Sequence, residues 1–167
     1  VNALIKIFKS YEGKLSLSID GNQLKIETRD IIFTTRLIEL AFPNYKGILT
    51  NLNEDKEIEM NKDHFVSALK KVYTVARTNQ ETKEAAIFHF HGNKLNIQAS
   101  AGRAKTTQNI DTIKIGEDVK ASLNVKYMLE FLSNIKNNVI IKATNSSSKF
   151  VVSEYKNDSY LYILMPL

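Results

Sequence analysis

Cysteine is absent from this 167-residue sequence. That excludes a disulfide framework and any site built on thiolates. Glycine and proline are scarce, with six and two residues. The glycines stand singly, so they form neither a phosphate-cradling loop nor a dinucleotide fingerprint. Serine is plentiful, yet Ser146-Ser147-Ser148 lies in a turn context and not in a Gly-x-Ser-x-Gly elbow. No apolar run approaches the ~20 residues a membrane-spanning helix requires, and no signal-peptide pattern is visible. Histidine is limited to His64, His89 and His91. His89 and His91 share one face of a strand-like segment and could hold a metal. No third ligand is evident nearby, so they read as two polar residues on a strand face. Glu57 and Glu59 likewise read as the exposed face of a strand. Nothing in the pattern asks for an active site, a cofactor or a metal.

What is present is a hydrophobic content of 43% and a formal net charge of +5. The first is enough to bury a core in a chain of this length. The second points to a polyanionic neighbour, most often nucleic acid, although a well-solvated basic surface accounts for the same excess.

Periodicity divides the chain into repeated helix-then-strands segments. Leu4, Ile5 and Phe8 lie at helical spacing within residues 1–10, while Lys6 and Lys9 face away. Three strand-like segments follow: Leu15, Leu17 and Ile19 alternate with polar residues, Leu24 and Ile26 alternate again, and residues 31–37 form the third. A second helix is expected over residues 62–78, capped by Asn61, with Phe65, Leu69, Val72, Val75 and Ala76 on one face. Strands are expected over 85–91, 94–100 and 105–110. The Gly92-Asn93 step echoes the turn at Gly21-Asn22. A third helix is expected over 125–136 after Asn124, then strands over 139–144, 149–154 and 160–165. Leading strands at 57–60 and 120–123 complete the last two repeats. The fold class is therefore α+β, made of repeated βαβββ units. The chain opens inside a helix without an initiator methionine, as a fragment of a longer protein would.

Two segments stand out against this background. Thr35-Arg36-Leu37-Ile38-Glu39-Leu40-Ala41-Phe42-Pro43-Asn44-Tyr45-Lys46-Gly47-Ile48-Leu49 opens as the end of a strand and carries a proline that rigidifies the backbone. It is expected to cross between structural units without coiling into a helix. At the other end, Met165-Pro166-Leu167 is apolar where chain ends are usually polar and frayed. An adaptable methionine beside a rigid proline suits a groove that accepts varied peptides.

Together these two segments resemble the bacterial replicative sliding clamp, the β subunit of DNA polymerase III, at its second-to-third domain junction and at its C-terminal Met-Pro segment. The resemblance spans the whole chain but less than half of a full clamp. It implies a DNA-clamp fold with helices on the inner face and antiparallel sheets outside. Residues 1–52 would be the second half of clamp domain 2 with the interdomain linker, and residues 53–167 a complete domain 3. It implies a non-catalytic processivity factor that encircles duplex DNA non-specifically. Replicative polymerase, clamp loader and repair proteins would dock short linear motifs in a hydrophobic groove. The implied groove residues are Pro43, Ile48, Asn124, Tyr127, Ser147, Lys149, Ile163, Met165, Pro166 and Leu167. Lys6, Lys9, Lys70, Lys71 and Lys126 would face DNA. Tyr73, Thr74 and Val75 would meet the next subunit when the full-length protein closes a ring, which this fragment is not expected to do. The implied setting is the bacterial cytoplasm, associated with the nucleoid and not with a membrane. Several features depart from the family pattern. Gly47 stands where some members carry arginine, the Ser-Ser-Ser-Lys run replaces an apolar rim residue, and one groove wall from the first half of domain 2 is missing. Two other classes fit parts of the pattern. One is a barrel holding an apolar ligand; the other is a single-stranded nucleic-acid module using Phe88 and Phe90 for stacking.

Overall fold

The structure is a computed structural model and describes residues 2–42, 44–49, 56–79, 81–82 and 84–167. It divides into two compact units, Val1–Thr50 and Asn51–Leu167.

The first unit contains helix α1 (Asn2–Phe8), strands β1 (Ser16–Asp20), β2 (Gln23–Glu27) and β3 (Ile32–Arg36), and the short helix α2 (Tyr45–Leu49). The strands form an antiparallel sheet in chain order. Gly21, at φ 54°, supplies the left-handed residue of the β1–β2 turn. In the next turn, Thr28 Oγ1 accepts the N–H groups of Asp30 and Ile31 at 3.3 and 3.0 Å. Phe8 of α1 sets its ring edge-on against Phe33 at 6.5 Å. Ile26 on the central strand is buried, while Leu17 and Ile19 on edge strand β1 are exposed. Helix α2 corrects the expectation of a helix-free linker. Asn44, just before its first residue, accepts the Gly47 N–H on its side chain at 3.3 Å, which satisfies an otherwise orphaned donor of the first turn. Pro43 lies outside the described residues.

The second unit runs through β4 (Lys56–Met60), α3 (Lys62–Ala76), β5 (Ala85–Ala101), β6 (Ala104–Asn124), α4 (Val125–Leu132), β7 (Val139–Ala143), β8 (Phe150–Glu154) and β9 (Asn157–Leu164). A four-stranded antiparallel sheet takes the order β4-β7-β8-β9, and β5 pairs with β6 as a long ribbon. Helix α3 packs on β5, β6 and α4. It buries Phe65, Ala68, Leu69, Val72 and Ala76, a stripe at helical spacing. Phe65 meets Phe88 edge-on at 6.4 Å. Both helices begin as the sequence suggests. Asn61 accepts the His64 N–H at 3.1 Å and Asn124 accepts the Tyr127 N–H at 2.9 Å.

Three details differ from expectation. First, residues 85–91 and 94–100 belong to one strand, and so do 105–110 and 120–123. Gly92, at φ 57°, forms an irregularity in the ladder and not a hairpin turn. The ladder moves from Phe90↔Val119 to Gly92↔Gly116, so β6 carries an extra residue there. A tight-turn signature cannot tell a reversal from a bulge, because both need the same backbone conformation. Second, α4 stops at Leu132 and not at 136. The N–H groups of Lys136 and Asn137 instead reach Glu154 Oε1 at 2.8 and 2.7 Å. Third, Phe88 and Phe90 are buried, which removes them as base-stacking surfaces. No closed barrel forms among the described residues, whose sheets have three, four and two strands.

Candidate functional site

The residues singled out at the C-terminus gather by register. Phe150 pairs with Leu164 and Val151 with Ile163. The turn carrying Ser147 and Lys149 therefore leaves the same end of the sheet as Met165 and the tail. That turn is shaped by Asn145, whose Oδ1 accepts the N–H groups of Ser147 and Ser148, each at 2.9 Å. Beyond the sheet the tail is tied down, because the Leu167 N–H donates to the Ser122 carbonyl at 2.9 Å. Ser122 lies two residues before Asn124, the cap of α4. The chain end thus spans from the rim of the four-stranded sheet to the junction of β6 and α4.

The surface so formed is apolar and solvent-facing. Met165 and Leu167 are each 62% exposed, and Tyr127 is 49% exposed. Ile163 and Pro166 are half-buried. Beneath it, Phe131 of α4 is stacked on both Tyr160 and Tyr162 of β9, at 5.1 and 5.3 Å. Burial pushes the Tyr162 hydroxyl above its usual range, reinforced by Glu130 and the neighbouring phenols Tyr127 and Tyr160. The stack fixes β9 against α4 and so positions the tail it carries. Ile48, in α2 of the other unit, is 46% exposed.

Lys6, Lys70, Lys71 and Lys126 lie on helices, and Lys9 lies just past the end of α1. Lys6, Lys9, Lys70, Lys71 and Lys126 are all exposed. Lys126 lies 4.0 Å from Glu84. Glu84 Oε1 also accepts the Tyr73 hydroxyl at 2.9 Å, and this bond raises the Tyr73 pKa. Of the residues expected at a subunit contact, Tyr73 and Val75 are partly buried against the core. Thr74 is exposed, with its hydroxyl turned back to the Lys71 carbonyl at 2.7 Å.

One constellation escaped the sequence. His89 Nε2 lies 2.8 Å from Asp118 Oδ1, and His91 Nδ1 lies 3.1 Å from Asp118 Oδ2. The third ligand that the sequence does not reveal beside the two histidines is Asp118. Its carboxyl is held below the usual range by the bond from His89, opposed by partial desolvation and aided by His91.

A four-stranded antiparallel sheet and a long ribbon, backed by two adjacent helices, define a non-barrel α+β domain of the DNA-clamp type. Residues 50–167 match the family model described as "DNA polymerase III beta subunit, C-terminal domain", and the chain belongs to that family. It is 26% identical over 166 residues to the beta sliding clamp of Escherichia coli K12, covering 98% of this chain and 44% of that protein. It is 28% identical over 170 residues to the beta sliding clamp of Buchnera aphidicola from Rhopalosiphum padi, covering 100% and 45%. Among solved structures, a sliding clamp from Bartonella birtlesii superposes with a TM-score of 0.82 at 18% identity, covering 99% of this chain and 45% of that one. The DNA polymerase III beta subunit of Pseudomonas aeruginosa superposes with a TM-score of 0.80 at 21% identity, covering 98% and 44%. The chain spans less than half the length of these relatives. No helix among the described residues is long and apolar enough to cross a membrane.

Proposed function

We propose that this chain is the C-terminal portion of a processivity clamp. Residues 1–52 correspond to the second half of the middle domain with its linker, and residues 53–167 to a complete third domain. Family membership supports this reading, as does the division into compact units at residues 50 and 51. The full-length protein closes a ring around duplex DNA and performs no bond chemistry. Its helices face the duplex, and Lys6, Lys9, Lys70, Lys71 and Lys126 meet phosphate without sequence preference. Ring closure uses the exposed end of α3 around Thr74, beside Tyr73 and Val75. It requires an N-terminal domain, so this chain alone is a monomer. Such a protein works in the bacterial cytoplasm, at the nucleoid.

Polymerase, clamp loader and repair proteins dock extended peptides on the apolar surface of the C-terminal tail. The observation that carries this reading is the anchored yet exposed chain end. Leu167 is tied to Ser122, while the Met165 and Leu167 side chains remain open to solvent. Tyr127, Asn124, Ser147, Lys149 and Ile163 border the surface.

The test is retention of the full-length protein on DNA after loading. A ring stays on closed-circular duplex and runs off the same duplex once it is linearised. Equal loss from both forms would overturn the clamp reading.

A further inference from the structure

We propose that His89, His91 and Asp118 form a binding site for one divalent transition-metal ion, zinc by preference, on the face of the β5–β6 ribbon opposite α3. The geometry does not depend on the peptide surface or on the clamp reading. Phe88 and Phe90 point into the core, so His89 and His91 project together from the other face. The His89↔Lys120 and Phe90↔Val119 pairs bring Asp118, the residue before Val119, within reach of both rings. Asp118 lies where the register shifts, between Val119 and Gly116.

The donor set is suited to a borderline metal. Two imidazoles and one carboxylate make a three-ligand protein site with room for water, whereas calcium or magnesium would call for more oxygen donors. One ligand atom from each residue lies within 4.8 Å of the others. The two nitrogen–oxygen separations, 2.8 and 3.1 Å, run to different oxygens of Asp118, so the carboxylate reaches both rings at once. Coordination needs the lone pairs of His89 Nε2 and His91 Nδ1. Each ring therefore carries its proton on the other nitrogen when the ion is bound. The ligands are 37%, 75% and 58% exposed on their side chains, which leaves the remaining coordination positions to water. Lys120, the ladder partner of His89, is a cation beside the site. It is exposed and can swing away from the ion. A bound ion would link β5 to β6 across a chain separation of 27 to 29 residues.

The test uses the full 167-residue chain in competition with a chromogenic zinc chelator, together with nitrogen-detected NMR of the imidazoles. One equivalent of zinc is expected to bind, shifting His89 Nε2 and His91 Nδ1 while His64 stays unchanged. H89A, H91A and D118N should each weaken binding tenfold or more, and H64A should not alter it. Zinc should also raise the unfolding temperature of the parent and of H64A, but not of the three site variants. Because the ligands lie on an exposed face, the variants should keep the parent's circular dichroism in the absence of zinc. Failure to compete with the chelator would overturn the site. So would zinc binding that is equal in parent and site variants, or that disappears in H64A. In those cases the cluster is a hydrogen-bonded clasp alone.

Discussion

Met165 offers the sharpest separation of binding from folding. It is 62% exposed, so most of its side chain has yet to be buried by a partner. Full burial of a large aliphatic or thioether side chain is worth roughly 1.5–3 kcal/mol. Scaling by the exposed fraction leaves about 1–2 kcal/mol for a docked peptide to gain. At about 1.4 kcal/mol per decade, Met165→Ala should weaken peptide affinity about 5- to 25-fold. The same exposure means that little folding energy rests on the side chain, and stability should change by no more than about 0.5 kcal/mol. The assay is fluorescence anisotropy of a labelled polymerase clamp-motif peptide on the full-length protein, paired with thermal unfolding of the same samples. Unchanged affinity would refute the placement of the peptide surface. A loss of affinity matched by a fall in unfolding temperature would show that Met165 is structural. Deleting residues 165–167 also removes the Leu167–Ser122 bond, so its effect on affinity should exceed that of the single substitution.

Three further outcomes follow from the packing and charge. Phe131→Ala empties a fully buried position and removes two ring stacks, so chemical denaturation should show a loss of about 3–5 kcal/mol; a loss below about 1 kcal/mol would mean the stack is not formed. Glu154 is held at a pKa of about 2 by the Asn157 side chain and the N–H groups of Asn137 and Lys136. Its stabilising contribution is complete above the ordinary glutamate range near 4.3 and is lost as pH falls through about 2. Glu154→Gln should therefore flatten the acid limb of the stability–pH curve, and an unchanged limb would count against that hydrogen-bond set. Substituting Lys70 or Lys71 with Ala should lower the salt-dependence slope of duplex binding by about 0.9 for each phosphate no longer neutralised. Peptide affinity should stay at the parental value, and a salt slope equal to the parent's would remove these lysines from the DNA-facing surface.

Local signals carried much of this protein. The stripe Phe65, Leu69, Val72 and Ala76 announced α3, because a helix repeats its buried face every turn. Asn61 and Asn124 announced both helix starts, because a cap acts within three residues of its own position. The Phe-Pro-Asn-Tyr and Met-Pro segments pointed to the family before any geometry was known. Asn44 shows the limit of that legibility. It carries a cap signal, but the neighbouring proline argues for extended backbone, and α2 is not legible from the two together. What the tertiary structure alone decided depended on register between distant strands. Gly92 looks the same as bulge or turn, and only pairing with β6, more than twenty residues further on, chose the bulge. That choice put Asp118 beside His89 and His91, whereas a hairpin at Gly92-Asn93 would have set Lys94 opposite His91 and Asn96 opposite His89. The end of α4 was likewise fixed by Glu154, eighteen residues beyond Lys136. The tail's anchor at Ser122 lies 45 positions back in the sequence. Periodicity reports which face of an element is apolar; which element meets that face, and in which register, emerges only when the whole core closes.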